Sequence, residues 1–129
     1  MDDSLYRSPW KDWTLLASAV RSTTQTLADI LGCKARGVTL TLDVTAVPGV
    51  DTVQLVIEGK DPASGKYYTI AQTAARSTVG TDTLVVYPGI NPVANARVND
   101  VIPPNWRARV VHSAGTNFTY SLGGMLLSN

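Results

Sequence analysis

Two runs with apolar residues at every second position, Val53-Gln54-Leu55-Val56-Ile57-Glu58 and Lys66-Tyr67-Tyr68-Thr69-Ile70, flank the segment Asp61-Pro62-Ala63-Ser64-Gly65. This is the pattern of a β-hairpin. Pro62 presets φ for the first central position of a type I turn, and the Asp61 carboxylate is placed to accept from the turn's own backbone. Gly65 supplies the left-handed residue that closes a bulged loop. A chain committed to this element is read as a β protein.

The same period continues on both sides of it. Val38, Leu40, Leu42 and Val44 alternate with Thr39, Thr41, Asp43 and Thr45, which describes a half-buried strand, and Pro48-Gly49 then suits a type II turn. Further strands are expected at Thr81 to Tyr87, Asn105 to His112 and Asn117 to Leu127. Between Pro88 and Pro104 lies a connection far longer than a hairpin needs, so it is expected to cross from one sheet to another. Thr14 to Val20 reads as a strand followed by a loop. Leu16, Val20, Leu27 and Ile30 could also mark a helix face, but Thr23, Thr24 and Thr26 weaken that reading. The sum is an all-β fold, an antiparallel β-sandwich of jelly-roll or Greek-key type with an extended N-terminal arm. The division is residues 1–32 as arm with a possible first strand, and 33–129 as the sandwich.

One face collects Val38, Leu40, Leu42, Val53, Leu55, Ile57, Tyr68, Ile70, Leu84, Val86, Trp106, Ala108, Val110, Phe118, Tyr120 and Leu122, at roughly 1.5 to 3 kcal/mol for each large side chain. A second apolar set, Val56, Val85, Tyr87, Val111, Met125 and Leu127, falls out of phase. A solvated sheet face would carry polar residues there, so either the chain's own N-terminal arm or a neighbouring subunit is expected to cover these six, which are the candidate oligomer interface. Tyr6, Arg7, Trp10 and Trp13 concentrate aromatic area beside an arginine ahead of the domain, which makes them the candidate partner-binding arm. Alternatively, the two tryptophans cap the chain's own core.

Chemistry is scarce. Net charge is +1, from 11 basic and 10 acidic residues without a run of either sign, which argues against nucleic-acid and membrane partners. No apolar run approaches the roughly 18 residues of a membrane span, and the start Met1-Asp2-Asp3-Ser4 lacks the pattern of a secretory signal, so the chain is expected to be made in cytoplasm. His112 and Glu58 are the lone His and Glu, too few for an acid-base pair, and Glu58 is expected to pair with Arg107 or Arg109 across the sheet. Cys33 is single. The aspartates sit mostly in turns, and an EF-hand spacing is absent, so no catalytic, metal or cofactor site is expected.

Leu15-Leu16-Ala17-Ser18-Ala19, Ala35-Arg36-Gly37-Val38, Leu42 to Gly49, Ile57 to Tyr68, Val86-Tyr87-Pro88-Gly89, Asp100-Val101-Ile102-Pro103, Trp106-Arg107 and Phe118 to Ser121 resemble small virion proteins of tailed bacteriophages. The likeness spans roughly Thr14 to Leu127. It implies a head decoration, or cement, protein that binds the major capsid protein on the capsid exterior, commonly as a homotrimer, and that is not an enzyme. A neck, head-completion or tail structural protein is the alternative within that class. A carbohydrate- or receptor-binding module using Tyr67, Tyr68 or Trp106 is the alternative outside it.

Overall fold

The computed structural model describes residues 10–31 and 35–128. Ten strands run in the order β1 (Trp10–Arg21), β2 (Gln25–Thr26), β3 (Ile30–Leu31), β4 (Ala35–Ala46), β5 (Val53–Lys60), β6 (Tyr67–Gln72), β7 (Gly80–Val86), β8 (Arg97–Val98), β9 (Asn105–His112) and β10 (Phe118–Ser128). Among the described residues there is no helix, so the strand reading of Thr14 to Val20 holds and the helical one does not.

Two sheets contain all of them. One has the order β1-β10-β4-β7-β8; the other has β2-β9-β5-β6, with β3 also on β9. Every pairing is antiparallel except β7 with β8. The boundary expected after residue 32 falls in 32–34, outside the described residues. On its N-terminal side β1 pairs with β10, and β2 and β3 pair with β9, so strands from both sides of it share the same two sheets.

A single apolar cluster joins the sheets. From the first come Val38, Leu40, Leu42, Val44, Leu84, Val86, Phe118, Tyr120 and Leu122; from the second come Val53, Leu55, Ile57, Ala71, Trp106, Ala108 and Val110. The period-two pattern places these side chains on the facing sides, where burial removes them from water. β1 joins through two bulges against β10, one between Thr14 and Leu16 and one between Leu16 and Ala19. An extra residue in a bulged strand breaks the alternation. Consecutive Leu15 and Leu16 therefore both pack against the core.

The hairpin forms as its sequence dictates. The Gly65 N–H donates to the Asp61 carbonyl at 2.8 Å, Gly65 has φ +73°, and the Asp61 carboxylate accepts from the N–H groups of Ala63 and Ser64 and from the Ser64 hydroxyl. After β6 the chain keeps following β5, because Thr73 and Arg76 bond to Leu55 and Val53. The connection from Pro88 to Pro104 does cross between sheets. On the way it lays β8 parallel to β7 and sends Ile102 into the core.

Tyr68 corrects the expected core: it is 49% exposed. It stands opposite Gly59 at the end of edge strand β6, and its ring lies across that glycine, within 2.6 Å of where a Cβ would sit. An edge strand has a neighbour on one side only, and the missing side chain gives the ring a seat over the backbone. A bulge at Ile57/Glu58 also shifts the phase of β6, so Ala71 is fully inward while Ile70 is only half-buried.

Candidate interaction surfaces

Of the expected arm, Tyr6 and Arg7 lie outside the described residues. Trp10 and Trp13 belong to the backbone of β1, in register with Leu127 and Gly124 of β10. The strand therefore begins earlier than the apolar pattern from Thr14 indicated.

The six out-of-phase apolar residues do not share one face. Val85 on β7, Tyr87 just beyond it, and Met125 and Leu127 on β10 occupy the outward side of the β1-β10-β4-β7-β8 sheet, because their neighbours Leu84, Val86 and Leu126 turn inward. Val56 and Val111 lie on the outward side of the other sheet, at the opposite surface of the molecule. Exposure differs as well: Met125 is 39% exposed, whereas Val56 and Leu127 are 6% and 9% exposed.

Around Val56 the second sheet carries its ionic groups. Glu58 is buried and accepts from Arg107 Nε at 2.7 Å and, more loosely, from Arg109 Nη1 at 3.5 Å, as the cross-strand register requires. The Arg107 guanidinium stacks 3.4 Å from the centre of the Tyr67 ring, and the Tyr67 hydroxyl donates to Asp29 at 2.6 Å. Lys60 completes the group, 3.1 Å from the second Asp29 oxygen. The Tyr67 hydrogen bond, followed by Lys60, holds the Asp29 carboxyl below the usual carboxylate range, and Asp29 in turn raises Lys60. Each charge has a partner, so the cluster binds the short β3 region to the hairpin rather than presenting a free charge. Asp29 gave no signal in the sequence, because it lies between two strands too short to show a period.

His112 ends β9 and reaches across to the other sheet, its Nε2 2.7 Å from the Tyr120 hydroxyl. Its ring meets Phe118 edge-on, and its backbone N–H donates to the Thr24 hydroxyl. Burial, reinforced by the nearby Arg21 cation, lowers the His112 pKa, and burial pushes the Tyr120 phenol up to about 12. Adjacent Ser113 points elsewhere, its hydroxyl accepting from the Thr52 N–H. The aspartates are also engaged locally: Asp82 holds Arg76 with two oxygens, Asp51 accepts from Thr116, Asp43 accepts from Thr81, and Asp100 accepts from the Val101 N–H. Among the described residues no three His, Cys, Asp or Glu side chains converge as metal ligands would.

No protein-family model matches the chain, and no curated protein matches it in sequence. Solved structures do. The crystal structure of SPBc2 prophage-derived protein YomS superposes with a TM-score of 0.54 at 9% identity, over 92% of this chain and 93% of that one. The fold is shared with YomS. A chain of infectious bursal disease virus Gx strain matches 91% of this chain and 31% of its own length at 15% identity, with a TM-score of 0.47, too low to bear on the fold. The agreement with YomS extends over nearly the whole of both chains.

Proposed function

We propose that the chain is a non-enzymatic structural protein of a bacteriophage virion, one that binds and stabilises the capsid exterior, and that its two sheets form a jelly-roll sandwich. The order of pairing carries the architectural part. Leaving β8 aside and counting β2 with β3 as one interrupted strand, the first strand pairs with the last and the second with the next to last. The third pairs with the third from last, and the two middle strands form the hairpin. A long antiparallel ribbon rolled on itself gives this order, with the ribbon divided between two sheets.

The phage assignment draws on the fold shared with a prophage-derived protein over nearly the whole of both chains and on the resemblance of the sequence to small virion proteins. A capsid-binding role asks for a rigid body, a contact surface and no catalytic group. Copy number in purified virions tests it. Hundreds of copies on the head, visible by cryo-electron microscopy, are expected. About a dozen copies or fewer would instead mark one of the ring-shaped neck or tail parts, and absence from the virion would overturn the proposal.

The exposure of Tyr68 favours a second reading, a sugar- or receptor-binding module, since a ring lying over Gly59 offers a flat face for stacking. Binding of the isolated protein to a glycan array, lost in Tyr68→Ala, would support that reading.

A further inference from the structure

We infer that two copies of this chain associate face to face through the outward side of the β1-β10-β4-β7-β8 sheet, about a two-fold axis running along its strands. At one level of that sheet the register sets Asp12, Met125, Thr39, Val85 and Arg97 side by side on five successive strands. Their outward direction is fixed by the next level, where Leu126, Val38, Val86 and Val98 all pack into the core. Asp12, Met125 and Arg97 are exposed.

Read across the sheet, the level runs acid, apolar, threonine, apolar, base, and this order is its own complement when reversed. A two-fold axis along the central strand places Asp12 of each copy opposite Arg97 of the other, Met125 opposite Val85, and Thr39 against itself. An isologous contact needs this kind of self-complementarity, and the charges at the two edges fix its register. The neighbouring level, Thr14, Gly123, Thr41 and Thr83, contains no charge to desolvate. At the other side Tyr87 lies across Gly37, where a Cβ would run into it and into the Val86 carbonyl, so the ring stays low on the sheet. Asp43, further along the face, accepts from Thr81. On the same axis Asp43 of one copy stands opposite Asp43 of the other, and this repulsion confines close contact to the Asp12 and Arg97 end of the face.

A second copy is favoured on the face over the edge, because the two bulges in β1 disrupt the regular row of backbone groups that an added strand would need. The inference stands apart from the capsid reading, since it concerns the free protein.

Sedimentation equilibrium of the full chain tests it. A dimer is expected. Asp12→Lys or Arg97→Glu alone turns two attractions into two repulsions and should weaken association by about tenfold, while the double exchange restores it. Met125→Lys should give a monomer with the melting temperature of the parent, which separates loss of association from loss of fold. A monomeric parent, a trimer of the kind expected from the decoration-protein resemblance, or a dimer indifferent to these exchanges would overturn the inference.

Discussion

His112 and Tyr120 join the two sheets through one short contact, and the burial of both rings gives stability a pH dependence with a definite sign. The His112 pKa in the folded chain lies below its ordinary value, so the unfolded chain binds the proton more tightly. The contribution is complete above about pH 6.5 and is lost as the pH falls through the lowered native value. On the alkaline side the neutral Tyr120 phenol is favoured in the fold, so stability is held up to the ordinary tyrosine range near pH 10 and falls as the pH rises toward about 12. Thermal melts between about pH 7 and about pH 5 should show a declining midpoint that flattens in His112→Asn. Glu58 presents the other residue-scale test. It faces two arginines from a buried position, so Glu58→Ala leaves Arg107 without its close partner and should cost about 2 kcal/mol in urea unfolding. An unchanged midpoint would show that solvent replaces the pair.

At the scale of strands, β1 takes up part of the segment read from the sequence as an arm. Removing Met1 to Pro9 leaves all of β1 in place, whereas removing Met1 to Trp13 strips the β10 backbone from Met125 to Leu127 and Gly124 of its neighbour. The longer deletion should lower the melting temperature and the shorter one should not, while capsid binding by the shorter chain reports on Tyr6 and Arg7. The strands that were legible in the sequence are those long enough to display a period: β4, β5, β6, β7, β9 and β10 each have six residues or more. β2, β3 and β8 have two residues each and leave no periodic trace. Tyr68 was misread because alternation along β6 does not tell that it is an edge strand with Gly59 opposite, and Ile70 because a bulge in the pairing of β5 with β6 cannot be seen from β6 alone. Likewise, the six apolar candidates look like one set along the chain, and only the assignment of strands to sheets separates them. The Glu58 partners were legible because adjacent positions on paired strands leave few alternatives.

For the whole molecule, the order of pairing means that the sheets close only when distant parts of the chain meet, which places such a fold among the slower folders. The expectation of a sandwich came from the strand periods, the Pro/Gly turns and the long crossing connection, while the strand order itself had no local signal. Only strand pairing tells which element faces which. One consequence concerns how the molecule can be cut and rejoined. Trp10 stands in register with Leu127, so the beginning of the first strand and the end of the last stand side by side at one corner. The Asp61 to Gly65 loop, exposed and closed by its own hydrogen bonds, turns elsewhere in the chain. A circular permutant joining the old ends through a short flexible linker and opening between Ala63 and Ser64 should retain the native circular dichroism spectrum. In the unpermuted chain, cargo joined at Trp10 and cargo joined after Leu127 would both leave from that corner, so the molecule has one display point rather than two.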